Sequence, residues 1–430
     1  MKEIIAGIES YKMKKLQVDT DDPTTLKNIL CREFGLEPEL TTIKQLENKK
    51  KIVIPPQEKD ASNLFDIYTE QIEGLQETDR GKNFEYFVLD YFWARELLIY
   101  GESFKKIREL NVLMVGAGAL GNEMAKNLAL SGIGAMTIVD RDIIENPNLS
   151  KSIFFRKSDI NSPKAQVLAE QIQKLVPTIR ADYFIGDITE EYVRCTQCGT
   201  VFELDEITCP SCGQLFNLLE NHERVFSFLN FLDYDLIISC VDNFSTREYL
   251  TRRCLEFDIP YFDVGISGKR YDDPIEGNYV QVRNILSPED PCIGCLLSED
   301  QIELFRNPKY GADPCGMVER DPSNLNLMSI AASIQSEQIL NFVTGTGSVL
   351  TSLFINTTTN RYLVDSVTRN TECLICSSIC KPEIKHVESM EKAETMAKGE
   401  FIRINNRISF ANEDGSRIII EVSENGNSES

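Results

Sequence analysis

The sequence predicts an α/β protein whose main body is a mostly parallel sheet. Two observations carry that prediction. From Asn111 onward, short apolar runs alternate with helix-patterned segments, as in strand–helix–strand units. Between the first such run and the first helix lies a glycine turn, Gly116-x-Gly118-x-x-Gly121.

The elements follow in chain order. Residues 1–85 are polar and rich in Lys and Glu, with a helical candidate in TLKNILCREFG and an apolar strand candidate in KIVIPP, and read as a small N-terminal α+β domain. The stretch FEYFVLDYFWARELLIYGESFKKIREL reads as amphipathic helix leading into the strand NVLMV. The helix NEMAKNLALSG sets Met124 and Leu128 one turn apart with Ala125 and Ala129 beside them, and stops at Gly132. The strand AMTIVD follows. In SPKAQVLAEQIQKLVP, Ser162 is placed as the N-cap and Pro163 as the first helical residue, with Leu168, Ile172 and Leu175 along one face. A strand in DYFIG, an interruption, the apolar strand DLIISC, a helix after VDNFSTRE and a strand in YFDVG complete the alternation. A helix in NLMSIAASIQSEQILNFVTG and a β-rich stretch, VLTSLFINTTTNRYLVDS, come next. Residues 381–430 are charged and read as a hairpin-like extension, FIRINNRISFANEDGSRIIIEV, turning at Asp414-Gly415, then a disordered tail, SENGNSES.

Composition narrows the function classes. With 430 residues and 42% hydrophobic side chains the chain can bury a large core. Its 67 acidic against 45 basic side chains give a formal net charge of −22, which disfavours nucleic acid and anionic lipid as partners. No apolar run approaches the roughly twenty residues of a membrane span, and the N-terminus carries no secretion signal, so a soluble cytoplasmic protein is expected. The only histidines, His222 and His386, lie in NHER and IKHVE, contexts that read as solvated helix or loop. Histidine triads and histidine-rich metal sites are thereby set aside.

Gly116, Gly118 and Gly121 let backbone N–H groups at a helix N-terminus approach a phosphate, and Asp140, closing the next strand, is placed to bind a ribose. This Rossmann-like fingerprint suits NAD as well as ATP, and tight packing without a ligand also accounts for it. Polar groups downstream favour ATP. Asp142, Asn148 and Lys151 lie on the loop after the ribose strand, Lys164 starts the following helix, and the strand DLIISC runs into Val241-Asp242-Asn243 with Arg247 one turn on. A carboxylate at the sheet edge with several cations suits phosphoryl chemistry: Mg²⁺ on Asp242, and positive charge on the phosphates as pyrophosphate leaves. Taken singly, Lys164 and Arg247 are as well explained as exposed helix charges.

From about Ala94 to Cys376 these residues resemble the ThiF/MoeB/HesA adenylyltransferases and the related ubiquitin-activating enzymes. The shared motifs run in order: Arg95 before the first strand, GAGALG, Asp140, Asn148-Leu149, Lys164, and Asp242-Asn243 with Arg247. The resemblance implies a ThiF/MoeB-type adenylation domain over 86–380. It further implies that ATP and the C-terminal glycine of a ubiquitin-like or sulfur-carrier β-grasp protein are condensed to an acyl-adenylate. A homodimer in which Arg95 reaches the partner's ATP site is implied too. One departure is Lys151, where the family has arginine; the charge stays but the bidentate fork is lost, with Arg156 nearby as a substitute.

Eight of the 13 cysteines form four C-x-x-C pairs. Cys292/Cys295 and Cys373/Cys376 can offer four thiolates to one Zn²⁺, and match the family's structural zinc site. Cys195/Cys198 and Cys209/Cys212, each followed by glycine, form a zinc-ribbon pattern over 194–222, inserted in the sheet domain. Nothing in the family pattern calls for that second zinc site, which is expected to be a recognition arm. Of the rest, Cys31 has no assigned role, and Cys240 and Cys254 read as core packing. Cys315, in YGADPCGMVERD, stands where the family keeps the cysteine that takes the activated carrier, with Cys380 the next candidate.

The leading expectation is thus an ATP-dependent activating enzyme that forms an acyl-adenylate and transfers the carrier to Cys315 as a thioester, with onward transfer to a conjugating enzyme and a thiocarboxylate product both left open. A peptide-modifying adenylyltransferase of a ribosomal-peptide pathway, with residues 1–85 clamping the peptide, is the enzymatic alternative. A non-catalytic carrier-binding scaffold is the other.

Overall fold

A computed structural model describes residues 2–8, 12–45, 72–74, 76, 78, 85–206, 208–215, 222–267, 277–306, 324–364, 367–397, 401–412 and 416–422. The KIVIPP segment, Cys315, the Asp414-Gly415 turn and the SENGNSES tail lie outside these residues. The chain divides into two compact units, Met1–Lys105 and Lys106–Ser430.

The first unit holds β1 (Lys2–Ile8), β2 (Lys12–Val18), α1 (Pro23–Phe34), β3 (Thr41–Gln45), β4 (Ile72–Glu73), β5 (Glu85–Tyr91) and α2 (Ala94–Tyr100). Its sheet runs β3-β5-β1-β2-β4. Helix α1 forms where Asp22 caps it, accepting from the Thr25 N–H at 2.8 Å, and ends on Gly35 at φ 66°. The structure corrects the reading of FEYFVLDYF as helix: it is β5, paired parallel with β1 and antiparallel with β3. Phe87, Leu89 and Tyr91 are buried at a period of two, which a strand satisfies and a helix does not. Helix begins only at Ala94.

After α3 (Phe104–Glu109), which spans the division, the second unit builds β6 (Asn111–Val115), α4 (Ala119–Leu130), β7 (Ala135–Val139), α5 (Lys164–Leu175) and β8 (Arg180–Phe184). Farther on come β12 (Leu236–Ser239), α6 (Phe244–Phe257), β13 (Tyr261–Ser267), β14 (Tyr279–Ile285), α7 (Glu299–Arg306), α8 (Leu325–Thr344), β15 (Ser352–Asn356) and β16 (Arg361–Val364). They make an eight-stranded sheet ordered β16-β15-β14-β13-β12-β6-β7-β8. Strands β13, β12, β6, β7 and β8 are parallel, and β14 to β16 add antiparallel at one edge. The α/β class with a mostly parallel sheet is therefore observed. Strand order turns around between β6 and β12, which opens a crevice at their carboxyl ends.

The core lies under that crevice, with Leu113, Val115, Val139, Phe231, Ile237 and Tyr261 among its buried members. On α4, Met124, Ala125, Leu128 and Ala129 are all buried, as their spacing predicts. Helix α5 differs by one residue from expectation. Pro163 is the N-cap and Lys164 the first helical residue, because the Lys164 N–H is drawn to the Asp142 carbonyl at 2.9 Å. Leu168 and Ile172 are buried, whereas Leu175 is exposed.

Between β8 and β12 the chain inserts β9 (Tyr192–Cys195), β10 (Val201–Glu203) and β11 (His222–Phe226), an antiparallel sheet ordered β10-β9-β11. His222 opens β11, and His386 lies in β17 (Glu383–Val387), so both histidines are on strands, not helix or loop. The C-terminal segment is more than a hairpin. It forms β17, α9 (Met390–Met396), β18 (Ile402–Ile404), β19 (Arg407–Ala411) and β20 (Arg417–Val422), with β17 parallel to β20 in the order β17-β20-β19-β18. Ile404 and Ile419 join the main core, and Arg407 pairs with Asp233. Among the described residues no helix is long and apolar enough to cross a membrane.

Candidate functional site

The glycine turn sits at the carboxyl end of β6, on the crevice. Gly116 adopts φ 99°, and a Cβ there would lie 2.6 Å from the Cys240 carbonyl oxygen. A Cβ on Gly121 would lie 2.1 Å from the Gly116 carbonyl oxygen, so α4 packs directly on its own turn. Gly118 is different: it is the N-cap of α4, and the space before it is open to at least 4 Å. The protein's own packing does not require glycine there, and a helix N-terminus with open space before it is the kind of place where an anion can approach backbone N–H groups.

Asp140 is bound into this turn. Its Oδ2 accepts from the Ala117 N–H at 2.6 Å and its Oδ1 from the Asp142 N–H at 2.8 Å. Burial pushes its carboxyl above the ordinary aspartate value, while the two amides and Lys164 pull the other way. Each oxygen retains further acceptor capacity. Lys164 Nζ lies 2.7 Å from Asp142 Oδ2. Asn148 Oδ1 accepts from the Glu145 N–H at 2.7 Å, which fixes the short helix Asn146–Ser150 that Lys151 terminates. Arg156 donates to the Ile153 and Phe155 carbonyls at 2.6 and 3.1 Å.

Across the crevice, β12 runs through Cys240 and Val241 to the exposed Asp242. The Cys240 N–H donates to the Val115 carbonyl at 2.8 Å, so Asp242 and the glycine turn stand at the ends of neighbouring strands. Asn243 caps α6, its Oδ1 accepting from the Thr246 N–H at 2.8 Å. Arg247 turns inward. Its guanidinium donates to the Val241 carbonyl at 2.6 Å and pairs with Asp263 Oδ2 at 3.2 Å, with side chains only 15% and 3% exposed. Gly265 makes room for it, since a Cβ there would meet the guanidinium at 2.7 Å. Arg95 is exposed on α2 of the first unit.

Two cysteine clusters are assembled. Cys292, Cys295, Cys373 and Cys376 place their sulfurs within 4.8 Å of one another, as do Cys195, Cys198, Cys209 and Cys212. Neighbouring sulfurs lie 3.5–3.8 Å apart. A tetrahedron with Zn–S bonds of about 2.3 Å has edges of about 3.8 Å, so both clusters fit a zinc ion. The inserted pairs are matched knuckles: the Gly199 and Gly213 N–H groups donate to the Cys195 and Cys209 carbonyls at 2.8 and 2.9 Å, with φ 77° and 71° at the glycines. Cys240 and Cys254 are buried, and Cys380 is exposed.

Three groups were missed by sequence reasoning. Asn122 donates to the Ala117 and Gly118 carbonyls, both at 3.0 Å, and holds the glycine turn closed. Asp263 stands buried in an apolar strand, a signal that it needs a cation. Arg252 donates to the Leu374 and Ile375 carbonyls, both at 2.9 Å, inside the Cys373–Cys376 knuckle.

A mostly parallel sheet with a glycine turn at its switch point, an aspartate bonded to that turn and two four-cysteine clusters spaced to hold metal defines the class: an α/β protein with a Rossmann-like glycine turn. Residues 94–375 match the ThiF family, and the chain belongs to that family. Ubiquitin-like modifier-activating enzyme 6 of Mus musculus is 30% identical over 172 residues, covering 39% of this chain and 14% of that protein. SUMO-activating enzyme subunit 2 of Dictyostelium discoideum is 29% identical over 166 residues, covering 39% of this chain and 20% of that protein. The matches thus span a small part of those relatives' length. Among solved structures, E. coli MccB with ATP aligns with a TM-score of 0.48 at 17% identity, covering 75% of this chain and 82% of that one.

Proposed function

We propose that the protein is a cytoplasmic, ATP-dependent activating enzyme for a ubiquitin-like or sulfur-carrier β-grasp protein. One observation carries this reading: the glycine turn, closed on Asp140, and the exposed Asp242 stand together at the strand ends bordering the crevice. Gly116, Gly118 and Gly121 would receive the phosphates on the N–H groups of α4, and Asp140 with Asp142 the ribose. Asp242 would hold Mg²⁺, which neutralises phosphate charge when bound. Lys164, Lys151 and, across a homodimer, Arg95 would supply positive charge to the leaving group.

The carrier's C-terminal carboxylate oxygen attacks the α-phosphorus. The bond from that phosphorus to the bridging oxygen breaks, and pyrophosphate departs with its electron pair. The Cys315 thiolate then attacks the acyl carbon, forming the thioester and releasing AMP, and a conjugating enzyme takes the carrier from there. The Cys315 step rests on its place in the sequence alone. Both cysteine clusters would hold structural Zn²⁺, and nucleic acid is not a partner.

The test is ATP–pyrophosphate exchange with and without a carrier ending in Gly-Gly. Carrier-dependent exchange is expected, and its absence with every carrier tried overturns the reading. Cys315→Ala should keep exchange and lose the thioester; loss of both removes the role given to Cys315.

A further inference from the structure

The inserted four-cysteine sheet is expected from sequence to be an arm for recruiting a partner, yet its inner residue faces the nucleotide edge. Beyond β8 the chain turns through Ile185, Gly186 and Asp187, and the Gly186 N–H donates to the Asp140 carbonyl at 3.3 Å. That turn therefore lies against the segment that bears the ribose aspartate.

Tyr192, the first residue of β9, shapes this turn. Its hydroxyl accepts from the Asp187 N–H at 2.7 Å and donates to Glu203 Oε1, on β10, at 3.3 Å. Its ring fills the space where a Gly186 side chain would stand, 2.7 Å from the position of a Cβ. Burial pushes the phenol up to about 12, so it stays a neutral donor at physiological pH. The Asp187 carboxylate is itself occupied by Thr189, at 2.8 and 3.0 Å, and by Arg141 at 2.5 Å. Arg141, Gly186, Asp187, Tyr192 and Glu203 line one cavity of about 410 Å³. Strand β9 runs from Tyr192 into Cys195, so the residue that braces the turn and the first cysteine of the cluster share one short strand.

We propose that the inserted sheet forms one wall of the nucleotide site, with Tyr192 as the positioning residue that holds the Ile185–Asp187 turn against the ribose edge. This rests on the ATP reading above. The arm then contributes to nucleotide affinity, and partner binding is not its only use.

Tyr192→Phe keeps the ring and removes both hydroxyl bonds. ATP binding by calorimetry should weaken about fivefold, the worth of one bond, since of the two only the bond to the Asp187 N–H holds the turn. In the exchange assay the KM for ATP should rise while the KM for the carrier and the zinc content per chain hold. Glu203→Ala, at an exposed strand position, should shift the ATP affinity in the same direction by less. If neither variant alters ATP affinity, or if only carrier affinity falls, the proposal is wrong. A parent protein that binds no ATP would instead overturn the function reading itself, so the two failures are distinct.

Discussion

Arg247 separates a phosphate clamp from a structural tie. The sequence offers it as a cation for phosphate, but the structure pairs it with Asp263, which is 3% exposed, and with the Val241 carbonyl one residue before Asp242. Among the described residues, Arg247→Ala leaves the buried Asp263 carboxylate with the Tyr261 hydroxyl, at 3.4 Å, as its remaining side-chain partner. Breaking a buried ion pair from one side costs about 3–5 kcal/mol. A loss of that size in urea unfolding followed by circular dichroism is expected. Asp263→Asn in the Arg247→Ala background should return about 1–3 kcal/mol, because residues in direct contact couple by that much. A phosphate clamp predicts the reverse pattern. A stability change under about 1 kcal/mol with ATP affinity abolished would refute the structural role.

Three further outcomes follow from the same geometry. Gly121→Ala sets a Cβ 2.1 Å from a backbone oxygen and should cost about 1–3 kcal/mol by thermal unfolding, whereas Gly118→Ala, with open space before it, should leave stability within about 0.5 kcal/mol and lower ATP affinity. On the proposed ribose role an ionised Asp140 is the stronger acceptor, and burial raises its carboxyl above 3.8; ATP affinity should therefore fall on acidification with a midpoint above that value, a step that Asp140→Asn removes. Its stability contribution has the opposite sign, being greatest at low pH and lost as pH rises through the raised value. Native mass spectrometry should find two zinc ions per chain and one after Cys373→Ser; two ions retained in that variant would dismiss the Cys292–Cys376 centre.

What could be read from the sequence was local. The glycine turn, the first βαβ unit and the four cysteine pairs each declare themselves within a few residues, because turn geometry and thiolate spacing are short-range constraints. Contacts set by distant partners were not legible. The segment Glu85–Tyr91 is a strand because β1 and β3 flank it, and the close run of aromatic residues in the sequence masks the alternation of Phe87, Leu89 and Tyr91. Nothing in the sequence marks Asp263 as the partner of Arg247. The parallel pairing of β17 with β20 crosses a helix and two strands, so a turn signal in the last pair alone suggested only a hairpin. Among the residues read from a motif, the glycine turn and Asp140 lie at strand ends, whereas Arg95, Lys164 and Arg247 lie on helices; Asn122 and Tyr192 belong to no motif and are known only by what they touch.

The Cys292–Cys376 cluster is tied to the same edge. Arg252 reaches from α6 to two carbonyls of the Cys373–Cys376 knuckle, and Glu248, one turn earlier, holds Arg252 at 2.9 Å and Arg306 of α7 at 2.5 Å. Burial alone would raise the Glu248 carboxyl, yet its bonds to Arg306 and Arg252 outweigh that and hold it below the ordinary glutamate value. It therefore stays ionised, and the network stays closed, across the physiological range. Helix α6 starts at Asn243, next to Asp242, and its middle is fastened to the knuckle whose four sulfurs are spaced for zinc. A cluster far from the glycine turn in sequence can in this way fix where the edge carboxylate stands. The inserted cluster is linked in a parallel way to the other end of the sheet: Tyr192, three residues before Cys195, holds the Asp187 N–H in the turn after the edge strand β8.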